Sequence, residues 1–345
     1  MPTPIYRLPP FSVQEVSKAL SETLDWGLTF TGVPEHWKTT RGEGVKVAVL
    51  DTGIDDEHPD LAEGIEKAKD FTRSPHGHRD VQKHGTHCAG TIGARANDVG
   101  VVGVAPACRF IIGKVLGDNG SGEGAGIATG IDWACEEGAD VISISAGSPN
   151  PDPRIGAALE RAIAARKFVI VAAGNDGRPN SVNYPARWKG QGLRPNLDCI
   201  AVSAFRKDGQ LATFSSRGPE VDIAGPGQDI LSTVPGGRYA LMSGTSMATP
   251  FVAGVVALMV ATHRKIKNPK TPLTNLRELR EHFAKGSKEA GKPGKDDDFG
   301  FGLVDPDQLL QVESGVPDQK PLFTIGGVSV YSPARAGDAF SLASV

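Results

Sequence analysis

Five runs of β-branched and apolar residues constrain this chain most: VKVAVLD (45–51), RFIIGKVL (109–116), DVISISA (140–146), FVIVAAG (168–174) and CIAVSAF (199–205). A strand so continuously apolar expects cover on both faces. Between these runs lie THCAGTIGARA, GIATGIDWACEEG and RIGAALERAIAARK, each with a helical spacing of apolar residues. Strands alternating with helices predict an α/β fold: a doubly wound, mostly parallel central sheet with helices on both faces, in three α/β/α layers. Ligands of such sheets bind at the carboxyl ends of the strands. Asp51, Ser145 and residues 172–175 stand at such ends.

A second stretch narrows the chemistry. GTSMATP (244–250) runs into FVAGVVALMVA, a segment apolar or small all round, which predicts a buried helix. Ser246 falls at its positive end. Pro250 is expected within about the first turn, where a missing N–H costs little. A serine there is either a cap or a nucleophile, and the helix alone does not decide.

The chain has 345 residues, enough for one large domain or two ordinary ones. Its formal net charge is −3, so neither a nucleic-acid nor a membrane partner is implied. Glycine, at 43 residues, suits close helix–sheet packing and tight loops. No apolar run reaches the roughly 18 residues of a membrane span, and MPTPIYRLPPFSVQEV lacks the basic-then-apolar layout of a signal peptide. A cytoplasmic location is therefore expected. Cys88, Cys108, Cys135 and Cys199 each lie in or beside apolar or small-residue segments and read as reduced thiols.

Three segments carry catalytic residue types: VAVLDTGID with Asp51, HGTHCAG with His84 and His87, and GTSMATP with Ser246. Acyl transfer by serine needs a base, and a carboxylate to orient that base. The inventory alone is met by any chain of this size. The wording is more specific: DTGID…HPDL, HGTHCAGTIG, AAGN and SGTSMATP follow one another in this order. Over about residues 26–312 the chain resembles the subtilisin-like serine proteases, the subtilases, which share the order Asp…His…Ser.

That resemblance implies a serine endopeptidase of broad specificity working through an acyl-enzyme. Asp51 would orient the imidazole, His84 would be general base and acid, and Ser246 the nucleophile, with Asn175 of AAGN the side-chain donor to the oxyanion. His87 is expected to be structural. A polypeptide substrate would lie as an added strand between Gly120, Ser121 and Gly122 on one side and Ser145, Ala146 and Gly147 on the other. Gly124 replaces a larger side chain common in the family, so the pocket it flanks is expected to be wider or less selective.

The resemblance also implies structural Ca²⁺, held by Asp60 and Asn97 side chains and by carbonyls of Arg95, Val99 and Val101. Such an all-oxygen set suits that ion. Zinc at His76, His78, His84 and His87 would take the base that Ser246 needs. GSGEGA (120–125) matches a dinucleotide-binding pattern only formally, since its glycines are accounted for as a peptide edge. GTSMA departs from the α/β-hydrolase elbow in its last residue, and that fold runs Ser…Asp…His.

Three regions are expected: an extension (1–25), the catalytic domain (26–312), and a Pro/Gly/Ser-rich tail (313–345) that adds an edge strand. Within the extension, residues 2–11 should be extended, and 12–24 helical after a Ser cap with Glu15 three residues on. About 25 residues are too few for a folded prodomain. The short lead resembles that of intracellular subtilisins, whose extension crosses the active site as an inhibitor. Leu8, Pro9, Pro10 and Phe11 resemble its proline-containing motif, making the chain its own intramolecular inhibitor, a zymogen. The competing classes are a non-catalytic subtilase-fold binding protein, which predicts a missing catalytic group, and an esterase, which the peptide edges disfavour. A homodimer is left open.

Overall fold

The computed structural model describes residues 4–16, 21–188, 197–266 and 269–313, and the backbone of three short strands beyond them. In chain order the elements are β1 (Ile5–Arg7), β2 (Ser12–Val16), α1 (Trp26–Thr31), α2 (Val33–His36), β3 (Lys46–Asp51), β4 (Ile65–Asp70), α3 (His84–Gly93), β5 (Arg109–Lys114), β6 (Ser121–Glu123), α4 (Gly124–Glu136), β7 (Val141–Ile144) and α5 (Pro153–Ala164). They continue with β8 (Phe168–Ala172), β9 (Ile200–Phe205), β10 (Val221–Pro226), β11 (Ile230–Val234), β12 (Arg238–Ser243), α6 (Thr245–Lys265), α7 (Leu276–Gly286), α8 (Pro306–Leu309), β13 (Phe323–Ile325), β14 (Val328–Val330) and β15 (Leu342–Ser344).

Seven strands form one parallel sheet in the order β10-β9-β8-β7-β3-β5-β4. Successive strand residues point to opposite faces, and the two cores follow that alternation. Val47, Val49, Phe110, Ile112 and Ile170 pack with residues of α3 and α6. Their neighbours Ala48, Leu50, Ile111, Ile142 and Val169 pack with residues of α4 and α5. The predicted three layers are thus present.

Every residue of α6 from Thr245 to His263 is buried. Contrary to the sequence expectation, this helix is long and apolar enough to cross a bilayer, yet its apolar stretch is fully buried inside the protein and only Arg264 and Lys265 at its end are exposed. Pro250 stands inside it, beyond the first turn where the sequence reading had put it. Its missing N–H therefore costs Ser246 the helical donor to its carbonyl. Two neighbours make up the loss: Ser145 Oγ donates to Ser246 O at 3.2 Å and Cys88 Sγ at 3.3 Å.

Two expectations fail. Residues 12–16 are a strand, not a helix, because β2 finds an edge to pair with: it runs antiparallel along β12, from Ser12 opposite Ser243 to Val16 opposite Tyr239. The rest of the expected helix falls partly on 17–20, outside the described residues, and Ser21 and Thr23 form bridges to Val99 and Val101. Among the described residues the tail adds no strand to the main sheet either, since β13, β14 and β15 pair with one another.

All four cysteines are free, and three of them are buried. Burial pushes the Cys108 and Cys199 thiols up to about 12, so they stay protonated and inert.

Candidate active site

The parallel sheet delivers the first candidate catalytic group. Asp51 closes β3, almost fully buried, with its Oδ1 accepting from Thr52 N at 2.7 Å and facing His84 Nδ1 at 2.8 Å. Asp51 accepts only, so Nδ1 carries the proton, and Nε2 is left as the basic nitrogen. His84 opens α3. Its backbone is brought this close because Gly85 meets Gly53 with no side chain between: a Cβ at Gly85 would lie 2.3 Å from Gly53 O.

Asp80, which the sequence reading passed over, holds this turn in place. Its Oδ1 accepts from Thr52 Oγ1, Gln82 N and Lys83 N, each at 2.9 Å. Its Oδ2 accepts from Thr86 N at 2.8 Å and Thr86 Oγ1 at 2.7 Å. Thr52 Oγ1 in turn accepts from Gly85 N at 2.9 Å. One carboxylate thereby joins the residue after Asp51 to the helix start that carries His84. A carboxylate just upstream of a helix was the available signal, since that position favours negative charge.

Ser246 sits in the first turn of α6, fully buried. Its Oγ donates to Ser145 O at 3.3 Å, while Ser145 Oγ donates back to Ser246 O. Among the described residues His84 Nε2 has no hydrogen-bond partner. Asn175 is aimed by Thr245: its Oδ1 accepts from Thr245 N at 2.9 Å and Thr245 Oγ1 at 2.8 Å. That leaves its Nδ2 as a donor beside Ser246. A nucleophile, an oriented base and a fixed oxyanion donor are the parts that acyl transfer requires.

The Subtilase family model matches residues 42–302. The chain belongs to the subtilase family. It is similar to an intracellular serine protease of Paenibacillus polymyxa, 43% identical over 258 residues covering 72% of this chain and 76% of that one. It is similar also to the major intracellular serine protease of Bacillus subtilis, 40% identical over 263 residues covering 73% and 80%. Subtilisin Savinase of Lederbergia lenta is 39% identical over 285 residues, covering 82% of this chain and 97% of its own. This subtilase is accordingly a subtilisin-like serine protease, a hydrolase.

Its own N-terminal extension lies in the site. β1 runs antiparallel to β6, pairing Ile5 with Glu123 and Arg7 with Ser121. Arg7 and Gly147 exchange both backbone hydrogen bonds at 3.0 Å, and Leu8 N donates to Gly120 O at 3.0 Å. Asn175 Nδ2 donates to Pro10 O at 2.9 Å, and the Phe11 ring meets the His84 ring edge-on, centroids 4.9 Å apart. Tyr6 is buried in the core cluster of α4 and α5.

The space beside Gly124 is not open. A Cβ there would lie 1.9 Å from Asp152 Oδ2, so a buried carboxylate fills the place left by the missing side chain. Asp152 caps α5, accepting from Arg154 N at 2.9 Å, and Arg154 Nη2 lies 2.6 Å from its Oδ2. Asp152 thus takes the room that a larger side chain at position 124 would need.

The four histidines set aside as zinc ligands each have a partner of their own. His76 pairs with Asp118, His78 with Asp56 and His84 with Asp51. His87 Nε2 faces the carbonyls of Ile230 and Ala240 at 3.0 and 3.1 Å. Burial, with His84 beside it, pushes His87 down to about 3, so it is a neutral structural donor.

Two of the residues the resemblance named for calcium, Asn97 and Val101, stand beside a third, Asp60. Asn97 Nδ2 is 3.3 Å from Asp60 Oδ1, and Val101 N donates to Asp60 Oδ2 at 3.0 Å. Glu22 of the extension reaches the same loop, its Oε2 accepting from Asp98 N at 3.0 Å. The Arg95 guanidinium is turned inward onto the carbonyls of Gly93, Pro106 and Cys108.

Proposed function

We propose that this subtilase is a cytoplasmic endopeptidase of broad specificity, held latent by its own extension. The observation that carries the reading is the path of residues 5–11, laid as a strand between the segments 120–123 and 147 with a carbonyl on Asn175. A peptide held by main-chain hydrogen bonds is read little by its side chains, so many sequences fit.

Latency follows from two local facts. Pro9 and Pro10 have no N–H, so strand pairing is interrupted where the reacting bond would lie. The Ser246 proton is committed to Ser145 O rather than to His84 Nε2, and Phe11 packs on the imidazole. Tyr6 anchors the strap, and burying a side chain of that size is worth about 2–3 kcal/mol. Tyr6→Ala in the full chain is therefore expected to raise peptidase activity on a chromogenic peptide by about 30–150-fold. Unchanged activity would refute latency by this segment.

A structural calcium ion supports the same enzyme. Asp60, Asn97 and Glu22 with carbonyls of Arg95, Val99 and Val101 would make the all-oxygen set a hard cation takes. A ligand bound only by the folded state at about 100 times its Kd adds about 2.7 kcal/mol. Chelation by EDTA should then lower Tm by about 5 °C, and Asp60→Asn should remove the response. An EDTA-insensitive Tm would exclude calcium here. The cytoplasmic location is supported by relatives named intracellular and by the four free cysteines.

A further inference from the structure

Lys114 is the one fully buried lysine among the described residues, and it closes β5 beside the catalytic carboxylate: in the sheet register Asp51 stands opposite Lys114. A buried ammonium is costly unless each of its three N–H donors is met and its charge is paired. All three conditions point outward to different segments. Nζ donates to Thr52 O at 2.7 Å and Arg79 O at 3.0 Å, and pairs with Asp118 Oδ1 at 2.8 Å.

Each acceptor belongs to a different part of the machinery. Thr52 follows Asp51. Arg79 precedes Asp80, the carboxylate that holds the His84 turn. Asp118 stands in the 117–121 turn, closed by Gly117 N on Ser121 O and Gly120 N on Gly117 O, whose Gly120 carbonyl receives Leu8 N–H. Ser74 Oγ, at 3.0 Å, and His76 Nδ1, at 2.8 Å, also hold Asp118. Burial alone would raise the Asp118 carboxyl, but the bonds from Lys114, His76 and Ser74 draw it down to about 2, so it is ionised under all working conditions.

We propose that Lys114 is a positioning residue that joins the Asp51 turn, the Asp80–His84 turn and the peptide-binding edge into one rigid unit. It touches neither substrate nor the reacting atoms. Its two arms separate: the carbonyls of Thr52 and Arg79 govern triad alignment, and Asp118 governs the edge that receives the peptide. This rests on the protease assignment and on residues 120–122 as a peptide edge.

The test uses the full chain, with Lys114→Met and Asp118→Asn compared in matched extension states read by mass spectrometry. Kinetics are measured on a peptide p-nitroanilide, and triad competence separately by the rate at which a small arylsulfonyl fluoride labels Ser246. Lys114→Met, which cuts both arms, should slow labelling and lower kcat by about 10–100-fold, the effect of small misplacement of reacting groups. Asp118→Asn should raise KM about fivefold through a weakened edge and leave labelling within about twofold, because the carbonyl arm survives. Wild-type labelling in folded Lys114→Met, or wild-type KM in Asp118→Asn, overturns the proposal. If Lys114→Met does not fold, Asp118→Asn decides alone, because a merely structural ion pair would not shift KM while sparing labelling. Ser246→Ala runs alongside: hydrolysis that survives it would refute the assignment beneath, not the role of Lys114.

Discussion

Ser246→Ala should reduce hydrolysis of a chromogenic peptide by about a millionfold, a magnitude taken from a related subtilisin rather than computed from this geometry. The direction follows from the structure. Asp51 holds His84 Nδ1–H, Nε2 is free to take a proton, and of the two hydroxyls at the start of α6 that of Thr245 is spent on Asn175 Oδ1, which leaves that of Ser246. Without it the base has nothing to activate. Stability should change little, because the lost group makes one 3.3 Å hydrogen bond to Ser145 O worth about 1 kcal/mol. Adding His84→Ala to Ser246→Ala should cost almost nothing further, since residues acting as one unit are not additive. Peptide and ester hydrolysis should fall together. A folded Ser246→Ala protein retaining wild-type peptidase activity would exclude a serine nucleophile and revive the binding-protein reading.

Much of this was legible in the sequence because it is local. VKVAVLD, RFIIGKVL and FVIVAAG each state their burial on two faces, and the apolar body of α6 states its own. The three candidate catalytic residues sit in short segments whose wording carries their proposed roles. What escaped depends on partners far along the chain. Residues 12–16 have a helix cap and helical spacing, yet β12, more than two hundred residues on, offers an unpaired edge and wins. Gly124 looks like an opening until Asp152 is seen to fill it. Asp80 and Lys114 are single charged residues in unremarkable surroundings, and only the folded loops reveal how many donors or acceptors each one satisfies. Pro250 was misjudged by little, but that displacement is what recruits Ser145 and Cys88 to the Ser246 carbonyl.

Asn175→Ala should lower kcat by about 100–1000-fold, again a magnitude observed in a subtilisin. The same substitution should loosen the extension, because Nδ2 is the group that holds the Pro10 carbonyl at 2.9 Å. One hydrogen bond of that kind is worth about 1 kcal/mol, or roughly fivefold in the fraction of open enzyme. The two effects oppose one another in the full chain, so activity at low peptide should fall less than kcat measured once the extension is displaced. Asn175→Asp separates donor from acceptor: it keeps an oxygen for Thr245 N and Oγ1 but replaces the donor with a charge facing the developing oxyanion. Its kcat should be at or below that of Asn175→Ala. If Asn175→Ala retained kcat within about threefold, the amide would be no more than the brace of Thr245 and Pro10. The oxyanion would then rest on backbone donors alone.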